Sequence, residues 1–179
     1  MDRMSGGHRE DSPVLKSPAD CSESELAAFE RMVRLGFDGS DASLPTRMGM
    51  ADCLAFQYDP PGELVAIAGL KRPGRDYLVE MFATSGCGPS PDEWELELGW
   101  VFVTPQHRRN GVATALCLRL LQRVGGRPIF ATTRTDNRPM IGILEALGFE
   151  QAGKPFPRRG RDYFVFMASG RTWEPGAIS

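Results

Sequence analysis

The stretch from Leu98 to Ala113 constrains this chain most. An apolar run ends at Val103, a short loop holds Pro105, Arg108, Arg109 and Asn110, and a helical pattern opens at Gly111. The first N–H groups of a helix have no partner within it, and the aligned peptide dipoles make that end partly positive. Gly111 lets the backbone approach an anion with no Cβ in the way, Ala113 keeps the next turn open, and the two arginines add charge. Such an end suits a phosphate or pyrophosphate. The spacing matches neither G-x-x-x-x-G-K-[ST] nor G-x-G-x-x-G, which sets aside a Walker loop and a dinucleotide fingerprint.

The rest of the chain reads as strands and helices in mixed order. Ser22-x-x-Glu25 is a capping box, and Leu26, Phe29 and Val33 recur at helical spacing until Gly36, taken as the stop. Residues 37–51 read as a loop with a short helix. Cys53 to Tyr58 and Glu63 to Leu70 are strand-like runs on either side of Asp59-Pro60-Pro61-Gly62, which predicts a hairpin. Lys71 to Pro91 has no firm period and suggests a short helix in a loop. Glu93 to Val103 alternates, which puts Trp94, Leu96, Leu98, Trp100 and Phe102 in one row and Glu95 and Glu97 opposite.

A helix from Gly111 to Val124 carries the apolar stripe Ala113, Leu116, Cys117, Leu120 and Val124, and Gly125-Gly126 ends it. Pro128 to Thr133 is a strand, and Asn137 to Leu147 is a helix stopped by Gly148. Phe149 to Ala152 and Tyr163 to Ala168 are closing strands joined by a loop rich in proline and arginine. Helix, hairpin, long strand, helix, strand, helix and two strands make a mixed α/β fold around one sheet.

At 179 residues the chain suits one domain, expected over 21–169, with 1–20 as a flexible lead-in and 170–179 as a tail. The net charge is -2 and the pI about 5.7, whereas nucleic-acid and membrane-surface binders need a basic excess. No run of about 18 apolar residues predicts a transmembrane helix, and 1–20 lacks the apolar core of a signal peptide. Cys21, Cys53, Cys87 and Cys117 are scattered and only His8 and His107 could join them, so no metal site is expected. Reduced thiols in a cytoplasmic protein are the simpler reading.

Two blocks together resemble the GNAT superfamily of N-acetyltransferases. Arg108-x-x-Gly111-x-Ala113 is similar to its Q/R-x-x-G-x-G/A motif, and Asn137 with Gly148-Phe149 keeps the spacing of its N-x-x-A-x-x-x-Y-x-x-x-G-F pattern. The resemblance implies a central mixed sheet of about six to seven strands, splayed between the fourth and fifth, with about four flanking helices. It also implies acetyl-CoA as co-substrate, with no metal. The backbone of Arg108, Arg109, Asn110, Gly111, Val112, Ala113 and Thr114 would hold the pyrophosphate. The Val101–Val103 segment, Phe102 included, would offer backbone groups to the pantetheine arm. Asn137 would bond the pantetheine region, although capping a helix is the commonest task of such an asparagine.

An alkylamine with a pKa of about 10.4 is mostly protonated at neutral pH, so transfer to it benefits from a base. Glu97, fourteen residues before Gly111, matches the base glutamate of the histone-acetylating branch. Both Glu95 and Glu97 could equally be polar-face residues. The tyrosine expected seven residues after Asn137 is Leu144, on an apolar stripe, so the usual acid is missing. Tyr163 is the substitute candidate, or an ordinary core tyrosine. Arg158, Arg159 and Arg161 could meet an anionic acceptor or the CoA ribose phosphate, or form a solvated loop. Tyr77, Met81 and Phe82 could wall an acceptor pocket.

The leading expectation is an N-acetyltransferase acting on a small-molecule or protein amine by direct attack in a ternary complex. A non-catalytic acyl-CoA sensor or scaffold, which Leu144 favours, is the alternative, and a degenerate interaction protein is the third. An apolar face serves core or homodimer equally well.

Overall fold

Each element begins where the local sequence gives it a reason to. The computed structural model describes residues 12–37, 41–60, 62–88 and 90–173. Ser22 accepts from the Glu25 N–H while the Glu25 carboxylate accepts from the Ser22 N–H, and this reciprocal pair starts α1 (Glu23–Gly36). The helix stops at Gly36 as expected, but Gly36 is its last helical residue, and the chain leaves through an extended Phe37. A Cβ on Gly36 would meet the Phe102 ring at 2.5 Å, so that glycine is there for packing.

After α2 (Leu44–Gly49) the predicted hairpin forms from β2 (Cys53–Asp59) and β3 (Glu63–Lys71). The ambiguous segment that follows holds α3 (Arg75–Ser85), ended by a left-handed Gly86. Then come β4 (Leu96–Val103), α4 (Val112–Val124), β5 (Ile129–Arg134) and α5 (Arg138–Ala146). The expected loop of prolines and arginines is instead strand. β6 (Glu150–Arg158) and β7 (Arg161–Ala168) form a long hairpin whose turn is only Arg159 and Gly160, both at positive φ.

The segments expected as lead-in and tail each hold described residues that join the fold. Val14–Lys16 is β1, paired with β2, and Trp173 is buried with its indole N–H on the Leu147 carbonyl at 2.9 Å. Residues 1–11 and 174–179 lie outside the described residues. With β1 included, the sheet has seven strands in the order β1-β2-β3-β4-β5-β7-β6. Only β4 and β5 run parallel; the other pairs are antiparallel. Among the described residues five α-helices flank it, where about four were expected.

One face of the sheet packs on α4 and α5, with Leu116, Cys117, Leu120 and Leu144 against Ala68, Leu96, Leu98 and Phe166. The other face carries two separate clusters. Phe29, Met48, Phe56 and Trp100 form one under α1 and α2, and Met81, Phe82, Phe130 and Val165 form the other under α3. Burying each such side chain contributes roughly 1.5–3 kcal/mol. A gap between these clusters opens over the middle of β4.

An irregularity in β4 shapes that gap. Phe102 faces Ile67 and Gly99 faces Gly69, so Trp100 and Val101 together oppose the single residue Ala68. This is a β-bulge, and Trp100 takes φ 53 in it. The expected row from Trp94 to Phe102 is therefore broken. Leu96 and Leu98 face α4, whereas Trp100 and Phe102 belong to the α1 side. Trp94 precedes the strand and packs at the edge of the α3 cluster.

Candidate active site

Parallel pairing of β4 with β5 is limited to Leu96↔Ile129, Glu97↔Phe130 and Leu98↔Ala131, although β4 continues to Val103 and β5 to Arg134. The strands splay from Gly99 onward. The Thr104 N–H donates to the Val65 carbonyl at 2.9 Å, and strand alternation then turns the backbone groups of Val103 and Val101 away from β3, into the splay. The Val103 carbonyl accepts from Arg108 Nε at 2.9 Å. Phe102 has less to offer there, since it pairs with Ile67 and its ring packs under the Arg108 guanidinium.

At the end of the same opening, Gly111 caps α4 with φ 76, and no atom lies within 4 Å of where its Cβ would be. Arg109 is also left-handed, at φ 64. The loop turns twice to bring successive N–H groups to the head of α4, and no side chain caps that end. An unpaired strand edge leading to an open helix N-terminus fits an extended arm that ends in a pyrophosphate, which is the shape of CoA. Asn137 caps α5, accepting from the Met140 N–H at 3.4 Å.

On the other side of β4, the gap between α1–α2 and α3 is a cavity of about 210 Å³. Its floor is made by Glu97 and Trp100, and its walls include Arg47, Lys71, Tyr77 and Arg158. The facing pair Gly69↔Gly99 makes the floor possible. A Cβ on Gly69 would lie 2.8 Å from the Trp100 indole, and one on Gly99 would lie 2.5 Å from the Lys71 stem. Lys71 therefore crosses β4 to place Nζ 2.6 Å from Glu97 Oε1, which also accepts from Thr132 Oγ1 at 3.0 Å. Burial lowers the Lys71 pKa from its ordinary value, with the charge of Glu97 acting in opposition. Lys71 and Arg47 both approach the indole of Trp100, at 5.8 and 5.9 Å from its centre.

Two further pairs shape the rim. Arg158 stacks 4.5 Å from the Tyr77 ring and its Nη1 donates to the Tyr77 hydroxyl at 3.3 Å. Asp41 accepts from Arg159 at 3.0 Å and pairs with Arg47, tying the β6–β7 turn to the segment before α2. Its carboxyl is held well below the ordinary range, chiefly by the Ser43 hydroxyl and then by the two arginines, against the opposing effect of burial. Burial raises the Tyr77 hydroxyl pKa well above its ordinary value, so it stays protonated.

Of the residues singled out in the sequence, Glu97 lies on the cavity floor and Tyr77 in its wall. Met81 and Phe82 belong to the α3 core instead. Tyr163 packs on Phe156 at 6.1 Å between ring centres and does not line the cavity. Leu144 is fully buried among the α4–α5 contacts. Lys71, Arg47 and Asp41 went unrecognised. For Lys71 a signal existed: extending the alternation of β3 by one residue puts it on the same face as Ile67 and Gly69. Among the described residues no cluster of His, Cys, Asp or Glu could hold a metal, and no helix is long and apolar enough to cross a membrane.

The splay between the parallel strands, the open helix end beside it and the cavity across the strand all meet at β4. Residues 27–149 match the Acetyltransferase (GNAT) family, and the chain belongs to that family. None of the curated protein sequences compared with the chain matches it. Solved structures share the fold. An acyl-CoA N-acyltransferase from Pseudomonas aeruginosa is 15% identical, with TM-score 0.65 over 89% of this chain and 99% of that one. A ribosomal-protein alanine N-acetyltransferase from Escherichia coli is 16% identical, with TM-score 0.62 over 93% and 99%. Arabidopsis thaliana NAA60, solved with a bisubstrate analogue, is 16% identical, with TM-score 0.63 over 89% and 100%.

Proposed function

We propose that this acyltransferase moves an acetyl group from acetyl-CoA to an amine bound in the cavity, within one ternary complex and without a covalent enzyme intermediate. The carrying observation is that one short length of β4 serves both sides. Its backbone edge from Gly99 to Val103 is open to the splay, and Glu97 stands on the cavity floor immediately before it. The edge at Val101 and Val103 and the loop from Arg108 to Thr114 would hold acetyl-CoA, which supplies an activated thioester when bound.

The acceptor's ammonium first gives a proton to Glu97, directly or through water, and the freed amine attacks the thioester carbonyl; the carbon–sulfur bond breaks, and the nitrogen's second proton is released to water. Lys71 pairs with the Glu97 carboxylate until the acceptor's ammonium competes for the same oxygen. Backbone N–H groups stabilise the charge that develops on the carbonyl oxygen. The departing thiolate, of model thiol pKa about 8.5, takes its proton from water, since Leu144 offers none. A sensor without turnover has no use for a buried carboxylate under its cavity, and the Lys71–Glu97 pair favours the enzyme. The four free thiols accord with a reducing, cytoplasmic setting.

The deciding experiment measures CoA release over an amine panel as a function of pH for the parent and Glu97→Gln. Turnover should fall most near neutral pH and recover as the amine deprotonates unaided. A profile of unchanged shape removes Glu97 from the mechanism, and tight CoA binding with no turnover on any amine restores the sensor.

A further inference from the structure

We infer that the acceptor is a small amine that also carries a carboxylate or another oxyanion, the chemical class of free amino acids. This deepens the proposed function and rests on it for the transfer step alone. Five cations line the cavity against two carboxylates, Asp41 and Glu97. Lys71 is matched by Glu97, and Arg72 by Asp52 outside the cavity. Arg47 and Arg159 must share the one carboxylate of Asp41.

Arg158 has no ion pair among the described residues. Its guanidinium carbon lies over Tyr77, 4.5 Å from the ring centre; the group spends one N–H on that hydroxyl and keeps the rest of its donor fork for something else. The Arg47 Nε–H is buried with no acceptor at all. A buried donor left unpaired is costly, and an oxyanion in the cavity removes the cost. Guanidinium forks match planar carboxylates in geometry as well as charge.

The cavity therefore has two poles. Glu97 is the carboxylate at the floor for which an ammonium competes with Lys71, and the arginines attract an anion at the walls. A zwitterion satisfies both, whereas a polyamine meets repulsion and a neutral amine leaves the arginine donors unmatched. Size points to a small molecule: about 210 Å³ holds few heavy atoms, and the half-exposed Arg159 reaches across to Asp41 at the rim.

The test uses matched pairs, each an L-α-amino acid and its methyl ester, together with short peptides bearing free N-termini. CoA release from acetyl-CoA is followed for the parent, Arg158→Ala and Arg158→Lys, with melting curves to establish that each variant folds. The ester has the less basic amine and would win if the anion played no part. We expect the free acid to be preferred at least tenfold in kcat/KM. Arg158→Ala should lose on the order of tenfold to a hundredfold on the acid, through KM, and little on the ester. Arg158→Lys should fall between.

Equal or better use of the esters or of peptide N-termini overturns the inference, as does an acid preference that survives Arg158→Ala. Melting with CoA and the free amino acids separates this from the transfer reading. A stabilisation by amino acid that vanishes in Arg158→Ala upholds the anionic site even if no amine is acetylated. No stabilisation and no turnover with any acid, alongside turnover of other amines, overturns the site and leaves the transferase intact.

Discussion

Lys71 and Glu97 face each other across β3 and β4, and the 2.6 Å contact between their charged ends is buried under the cavity. Either charge alone would be expensive there, because water that would otherwise solvate it has been excluded. The pair ties the sheet's mechanics to the site's electrostatics, so that changing one residue exposes the other.

Replacing Lys71 with Met leaves Glu97 buried beside Thr132 with its main countercharge gone. The expected loss is about 3–5 kcal/mol at pH 7. Denaturant titrations of variant and parent at pH 7 measure it. A loss near zero would mean that Arg158 or water replaces the lost ammonium.

The folded pKa of Asp41 lies below the unfolded value, so its contribution is fully present above an unfolded pKa of about 3.9 and disappears as pH falls through the folded one. Asp41→Asn should cost roughly 1–3 kcal/mol at pH 7 and progressively less below pH 4. Measuring the difference in unfolding free energy between pH 7 and pH 3 checks both its size and its direction.

Gly111 caps α4 at positive φ in open space. Gly111→Val would strain the backbone by about 1–2 kcal/mol and put a branched side chain where an anion is proposed to sit. Calorimetry should find CoA binding weakened at least tenfold in a variant that still melts cooperatively. Undiminished affinity would place the pyrophosphate elsewhere.

Tyr77 lines the cavity and Tyr163 does not. Removing the Tyr77 hydroxyl takes a partner from Arg158 and should lower kcat/KM roughly twofold to tenfold, whereas Tyr163→Phe should leave it within twofold. Steady-state kinetics on both variants with the preferred acceptor decides between them. A larger effect at Tyr163 would return it to the list of acids.

Leu144 fills a fully buried position between α5 and the sheet. Leu144→Tyr restores the residue expected from the family pattern, but into a packed core. It should destabilise the fold by about 1–3 kcal/mol without raising kcat. A gain in turnover would show that the packing had displaced an acid worth restoring.

The open helix start was legible because it depends on backbone: the spacing of Arg108 to Ala113 puts a glycine at the head of α4, and the splay between β4 and β5 is what the family resemblance implies. The acceptor half depends on which side chains meet across distant elements, and Asp41 and Arg159 are 118 positions apart. The bulge was equally hidden. Nothing in Leu98-Gly-Trp-Val-Phe marks where alternation slips, so Trp100 was assigned to the wrong face. The proline-rich segment 153–158 was expected to be loop, yet it lies at the sheet's edge, where prolines are tolerated because one side of the strand needs no donors.

Under the proposed reading, β4 receives its two substrates in perpendicular directions, one along its edge through peptide groups and the other on its face through side chains. A peptide edge is indifferent to which side chains the strand carries. Mutations at Arg47, Tyr77 or Arg158 can therefore exchange one amine for another while the grip on the acyl donor is inherited unchanged. Specificity at this site is the replaceable part, and donor binding is the chassis.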